Sequence, residues 1–358
     1  MIITNPEELG KYTSAHRKWQ GIPTIEITGK GRIFVAFYSG KDTETWGNYV
    51  LLVKSDDDGK TWSEPITVID VGDGARAFDP CLWMDPDGCL RLFWSVMPDH
   101  HIEYAVCREP DAETLLWSEP KTMPGGVMLN KPVVLSDGSW LFPAAVWPYN
   151  VFPQCPGDPN VSDGTMALIS RDHGETYEEL ARVSVESRQF DEPMFYEKKD
   201  GTLVMLIRTY YGIAKSVSRD GGHTWTPDDD SHLGGPNSRF YIGRLSSGNL
   251  LLINHYKFVR RNNLTAMISR DDGETFTEFF RFEGRKGVSY PDAKEYNGKI
   301  YVVYDRERGA HYRPEVDYTN DAREILLAVF TEEDIAAGKP VSENCRLQQI
   351  VSKLNVNP

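Results

Sequence analysis

The sequence predicts an all-β protein, a six-bladed β-propeller of four-stranded antiparallel blades, occupying residues 1–358 as one domain. Three observations lead there. A phrase of the form Ser-x-Asp-x-Gly-x-Thr-aromatic occurs four times, at residues 55–62, 170–177, 218–225 and 269–276. Its last three copies stand roughly 50 residues apart, the length of one four-stranded unit. A second rhythm of turn pairs, Asp87-Gly88, Asp137-Gly138, Asp200-Gly201 and Asn297-Gly298, marks hairpins earlier in each unit.

The phrase suits a tight turn between strands. Its aspartate can accept hydrogen bonds from turn amides, its glycine takes a positive φ, and its aromatic packs down between sheets. The apolar run Tyr49-Val50-Leu51-Leu52-Val53 ahead of the first copy reads as the strand entering such a turn. The gap between the first and second copies is about double the others, so a unit with a worn phrase belongs there. Residues 103–108 supply its strand, and Trp117-Ser118-Glu119-Pro120 echoes Trp62-Ser63-Glu64-Pro65. A sixth unit follows in residues 288–292, 299–304 and 324–330, and Thr331-Glu332-Glu333-Asp334-Ile335 reads as a capped helical turn. Seven units are the alternative count. A terminal segment completing a blade would close the ring and remove exposed strand edges.

Composition narrows the function. A net charge of −14 argues against nucleic acid or an anionic membrane as bulk partner, while leaving room for a local arginine cluster that takes an acidic sugar. The five cysteines, Cys81, Cys89, Cys107, Cys155 and Cys345, are odd in number and lack CxxC spacing, so no disulfide framework is expected. Residues 1–8 carry neither a basic nor a long apolar stretch, which leads to the expectation of a cytoplasmic protein. No cofactor motif is present. His100 and His101 point to opposite faces of a strand, and the acidic run 56–58 lacks the flanking helices of a calcium loop, so no metal is assigned.

The four phrases resemble the Asp-box, or BNR repeat, of sialidase-like propellers, and the resemblance extends over most of the chain. It implies a glycoside hydrolase scaffold and an oligosaccharide substrate. Residues 191–208 resemble the family's glutamate-to-arginine segment, which places the group that polarises the nucleophile at Glu192 and a carboxylate-binding arginine at Arg208. Residues 260–265 resemble the segment of a second such arginine, at Arg261, and Ser289-Tyr290 resembles that of the tyrosine nucleophile, at Tyr290. Where the family opens with Arg-Ile-Pro this chain reads Gly21-Ile22-Pro23, so one arginine of that triad is missing. The family's acid maps to Asp42 or Glu44, Asp42 being favoured.

Further polar residues at inner-strand positions are candidates for contacting substrate: Asp79, Asp292, Lys131, Arg239, His255 and Trp147. Arg306 and Arg308, beside Asp305, form a charge cluster that either touches substrate or lies on a solvated rim. The leading expectation is an exo-acting glycosidase that cleaves a terminal sugar, acidic sugars included. Two rivals use the same residues: a uronate-specific polysaccharide lyase with Tyr290 or His255 as base, and a non-catalytic sugar-binding propeller.

Overall fold

Six antiparallel sheets follow one another along the chain in the computed structural model, which describes residues 1–41, 43–151, 160, 162–188, 190–227, 229–309 and 321–355. Blade 1 holds β1 (Ile2–Ile3), β2 (Trp19–Ile27), β3 (Ile33–Gly40), β4 (Tyr49–Ser55) and β5 (Thr67–Ile69). Blade 2 holds β6 (Arg76–Met84), β7 (Leu90–Met97), β8 (His101–Cys107) and β9 (Lys121–Met123). Blade 3 holds β10 (Val133–Val134), β11 (Trp140–Val146), β12 (Gly164–Ser170) and β13 (Glu178–Val183), and blade 4 holds β14 (Met194–Glu197), β15 (Leu203–Thr209), β16 (Gly212–Ser218) and β17 (Asp229–Asp230). Blade 5 comprises β18 (Tyr241–Arg244), β19 (Leu250–His255), β20 (Leu264–Ser269) and β21 (Glu278–Glu283), and blade 6 comprises β22 (Val288–Tyr296), β23 (Lys299–Arg306), β24 (Glu324–Phe330) and β25 (Arg346–Lys353).

The count is therefore six. Each blade is built from four consecutive strands, and β1 adds a fifth strand outside β5 instead of completing another blade. Local hairpins satisfy every blade, so closure needs no strand exchange. It is achieved by packing: six hydrophobic clusters form, one at each junction between neighbouring blades. The cluster between blades 6 and 1 joins Val35, Phe37 and Leu51 to Val303, Leu327 and Val329, all fully buried. Each such side chain contributes about 1.5–3 kcal/mol when removed from water.

The repeated phrases sit between the third and fourth strands of blades 1, 3, 4 and 5. In the first, Ser55 Oγ accepts from the Gly59 amide at 2.9 Å, while Asp57 accepts from the Thr61 amide (2.9 Å) and hydroxyl (2.7 Å). Gly59 has φ +78°, and a Cβ there would lie 2.6 Å from Leu327 of the neighbouring blade, so glycine is required twice over. Trp62, Tyr177, Trp225 and Phe276 each pack against the cluster shared with the preceding blade. In blade 2 the phrase is reduced to its closing aromatic, Trp117, packed against the cluster shared with blade 1, and the Ser118 that follows accepts from the Val106 amide at 3.1 Å as Ser63 Oγ does from Lys54 at 3.0 Å. Blade 6 replaces it with the helix Glu332–Ala337, capped by Thr331 and Asp334 in the reciprocal arrangement its sequence suggests.

These turns are expected to make the fold sensitive to acid. Hydrogen bonds from Thr61, Thr176, Thr224 and Thr275 hold the carboxyls of Asp57, Asp172, Asp220 and Asp271 down to about 2. A carboxyl depressed on folding stabilises the native state above its unfolded value of about 4 and loses that contribution as pH falls through its folded value. Thermal midpoints measured between pH 4 and pH 2 are expected to fall progressively. Asp172→Asn should be less stable than the parent at pH 6 and should lose part of this slope.

At the ring's centre six blades meet through one polar hub. Asp292 of β22 accepts from the Thr24 hydroxyl (2.7 Å) and the Ile25 amide (2.9 Å) of β2, and pairs with Lys131 (3.1 Å) and Arg239 (3.4 Å). Lys131 Nζ also donates to the carbonyls of Ile25 and Leu82 and pairs with Glu26. Arg239 reaches the Pro23 carbonyl and Asn130 Oδ1, and Asn130 in turn donates to the carbonyls of Glu192 and Pro193. Burial pushes the Lys131 ammonium down, but Asp292 and Glu26 outweigh it and hold it above its ordinary value.

Candidate active site

Inner strands bring alternate residues to successive heights along the channel. Along β22, Tyr290 stands at one mouth, Asp292 in the hub and Lys294 at the other mouth. At the far mouth, a cavity of about 490 Å³ is lined by Glu26, Trp83, Lys131, Tyr241 and Lys294. At the near mouth, three residues expected to act together do meet. Tyr290 Oη donates to Glu192 Oε1 at 3.0 Å, and Arg208 Nη1 donates to that same oxygen at 2.6 Å and to Tyr290 Oη at 2.8 Å. All three are buried, and Glu192 Oε2 has no hydrogen-bond partner among the described residues.

Each is placed by a different device. Arg208 is the penultimate residue of β15, paired regularly with Ile213 of β16, and its guanidinium reaches Glu192 and Tyr290. Glu192 precedes Pro193 at the start of blade 4, with its carbonyl fixed by Asn130. Tyr290 lies in a bulge where β22 slips register between Ser289 and Asp292, at φ +55° and before Pro291. A bulky side chain at positive φ is strained, and such strain gathers at functional positions. The phenol is pushed up to about 12, chiefly by burial, against the pull of Arg208, Arg261 and Arg308. It is a neutral hydroxyl at rest, hydrogen-bonded to a carboxylate that can take its proton.

Three guanidinium groups surround that ring. Arg208, Arg261 and Arg308 stand 6.0, 5.5 and 4.4 Å from the Tyr290 ring centre. Asn237 organises the first two, accepting from Arg208 Nε on its side chain (2.6 Å) and from Arg261 on its carbonyl (3.0 Å). Arg308 pairs with Glu44 (2.6 Å) and Asp305 (3.0 Å). Its side chain runs across Gly21: a Cβ on that glycine would sit 2.5 Å from Arg308 Cδ. The glycine thus leaves the path that the arginine fills. Burial and the two neighbouring guanidiniums lower Arg261, a crowding of cations that an incoming anion would relieve.

The remaining candidates fall elsewhere. Asp292, Lys131 and Arg239 belong to the hub, where their polar groups engage one another and the backbone instead of facing the mouth. His255 is buried, with Nδ1 donating to the Asn262 carbonyl at 2.6 Å. Burial pushes its imidazole down to about 4, so it is neutral and braces the hairpin that carries Arg261. Trp147 forms an aromatic wall with Phe78 and Phe190, and Arg208 lies 5.5 Å from the Phe190 ring centre. Partial desolvation raises the Glu44 carboxyl, whose side chain is still 41% exposed, but Arg308, Arg76 and Arg261 outweigh it and keep it below the usual carboxylate range. Asp42 lies outside the described residues. Arg306 pairs with Glu324.

Asn237 and the stacking of Arg308 escaped the sequence, while a different signal marks the inner strands. Ile22-Pro23, Asp79-Pro80, Lys131-Pro132, Glu192-Pro193 and Tyr290-Pro291 mark five of the six inner strands with a residue before proline. Proline has no amide to give to a ladder, so each pair marks a point where strand pairing is interrupted.

The sequence model of the BNR repeat-like domain matches residues 31–302, well over half of the chain. Among solved structures, a protein of unknown function from Dyadobacter fermentans is similar with a TM-score of 0.63 and 21% identity, over 80% of this chain and 90% of its own. A Hadza microbial sialidase gives 0.64 and 18% identity, over 82% of this chain and 64% of its own. The NanB sialidase of Streptococcus pneumoniae gives 0.64 and 14% identity, over 97% and 70%. At such identities the likeness is one of fold. Curated proteins yield no match.

Proposed function

From the chain's membership of the BNR repeat-like domain family, together with its near-mouth geometry, we propose that it is an exo-acting glycoside hydrolase that removes a terminal acidic sugar from oligosaccharides. The single observation that carries this is the hydrogen-bonded group of Tyr290, Glu192 and Arg208. Tyr290 Oη attacks the anomeric carbon while its proton passes to Glu192, giving a glycosyl-tyrosine that water then hydrolyses. Arg208, Arg261 and Arg308 favour a substrate carboxylate beside that carbon, because planar guanidiniums bind carboxylates with directed, charge-assisted hydrogen bonds. Arg308 stands in for the arginine that Gly21 replaces.

Two measurements test this. Mass spectrometry on sialosides, uronic-acid-terminated and neutral oligosaccharides should find cleavage with addition of water among the acidic members. Cleavage without water would make the protein a lyase, and an uncut panel would leave a binding propeller. Gly21→Val should swing Arg308 off Tyr290, raising KM for the acidic substrate by about tenfold, the scale of one weakened surface-to-half-buried ionic contact. An unchanged KM would remove Arg308 from the binding group.

A further inference from the structure

Among the carboxyls at the near mouth, the one built most like the nucleophile is Asp79. Three consecutive blades of the ring, 6, 1 and 2, share a single backbone device on their inner strands. Each slips register by one residue, between Ser289 and Asp292, Gly21 and Thr24, and Phe78 and Cys81. Each raises one residue to positive φ ahead of a proline: Tyr290 at +55°, Ile22 at +57° and Asp79 at +50°. The device that lifts the Tyr290 hydroxyl into the mouth thus lifts the Asp79 carboxyl on the other side of Ile22.

Its surroundings differ from those of the neighbouring acids. Asp79 is 4% exposed, and its carboxyl forms no hydrogen bond or ion pair within the described residues. The charged and titratable groups that bear on it are Glu192 from blade 4, Glu44 from the β3–β4 loop, Arg76 of its own strand, Arg308 from blade 6 and Tyr38 of β3. Burial first, then Glu192 and Glu44, outweigh the two arginines and push Asp79 up to about 8, so it carries a proton at neutral pH. Glu44, paired with Arg308, does not.

We propose that Asp79 is the proton donor to the leaving oxygen, the role that the sequence alone directs to Asp42 or Glu44. The proposal rests on the hydrolase reading. In the first step the glycosidic C–O bond breaks, its electron pair stays on the leaving oxygen, and that oxygen takes the Asp79 proton. The Tyr290 Oη–C bond forms as the tyrosine proton moves to Glu192. In the second step water attacks the same carbon and gives a proton to the Asp79 carboxylate. The Oη–C bond breaks, Tyr290 recovers its proton from Glu192, and the sum is one glycosidic bond exchanged for one water.

The test compares two glycosides of whichever acidic sugar the parent protein cleaves: a benzyl glycoside, whose alcohol must be protonated to leave, and a 4-nitrophenyl glycoside, whose phenol need not be. Asparagine keeps the shape and tolerates positive φ, so Asp79→Asn should fold, as near-ultraviolet circular dichroism will report. It is expected to lower kcat/KM on the benzyl substrate by about 10²–10⁴-fold, to spare the nitrophenyl substrate within about tenfold, and to lose the alkaline limb of the pH profile. Infrared difference spectra should assign one protonated carboxyl at pH 7 to Asp79. An equal loss on both substrates, no loss on either, a retained alkaline limb or an Asp79 ionised at pH 7 overturns the donor role and leaves the hydrolase standing. The leaving-group signature appearing in Asp42→Asn instead does the same. A parent protein that cleaves no glycoside overturns both.

Discussion

Tyr290→Phe is expected to abolish turnover while leaving the fold intact. The substitution removes one oxygen, the atom held between Glu192 Oε1 at 3.0 Å and Arg208 Nη1 at 2.8 Å. Phenylalanine meets the same backbone strain as tyrosine, and the buried Arg208–Glu192 pair survives at 2.6 Å, so no charge is left uncompensated. Two hydrogen bonds to charged groups are lost with that oxygen, so stability should fall by about 1–3 kcal/mol, well short of unfolding the protein. Glu192→Gln removes the proton acceptor and is expected to lower kcat by about 10²–10⁴-fold, or about 3–5 kcal/mol of barrier. The tyrosine variant should lose more, since without an oxygen no covalent intermediate can form. Both are measured by product formation under mass spectrometric detection, with urea unfolding as the control. Turnover retained by both variants would remove Tyr290 and Glu192 from the chemistry.

The second large effect is on stability. Asp292→Ala should destabilise the protein by about 3–5 kcal/mol, the range for breaking a buried ion pair from one side. Asp292 is fully buried, and its loss removes the anion shared by Lys131 and Arg239, leaves Glu26 as the one carboxylate paired with Lys131 among the described residues, and deprives the Thr24 hydroxyl and Ile25 amide of their acceptor. Asp292→Asn retains an acceptor for Thr24 and Ile25 and should lose less. Urea midpoints at constant m-value will order the three proteins. A midpoint for Asp292→Ala equal to the parent's would show that the hub does not hold the ring.

Much of the fold was legible because its signals are local. The Asp57-to-Thr61 bonds span four residues, and the turns at Gly88, Gly138, Gly201 and Gly298 each fix a neighbouring strand pair. Blade 2 could be found from the doubled gap, the strand at 103–108 and the echo of Trp62-Ser63-Glu64-Pro65 in Trp117-Ser118-Glu119-Pro120, whose serine repeats the bond of Ser63. The site was legible only in part. Glu192, Arg208 and Tyr290 lie in segments whose order along the chain is informative, and they converge. Lys131, Arg239 and Asp292 share the inner strands with them but sit one step deeper. Sequence tells which strand lines a channel and not the height of each residue in it. The slips at Phe78, Gly21 and Ser289 hide that height further, because one extra residue reverses the in–out alternation beyond it. Asn237 and Arg308 come from loops and a strand end, where no periodicity applies.

The shared device on blades 6, 1 and 2 separates what holds a side chain from what the side chain does. Tyrosine, isoleucine and aspartate occupy three copies of one mount, so the mount is indifferent to chemistry. The middle copy carries Ile22, a β-branched residue in a conformation that strains it by about 1–3 kcal/mol, with its amide already held by Asp305 at 2.9 Å. Its side chain is buried in the hydrophobic cluster between blades 1 and 2, so here the mount serves packing. Of the three mounts, the one at Ile22 is the one that carries no functional group.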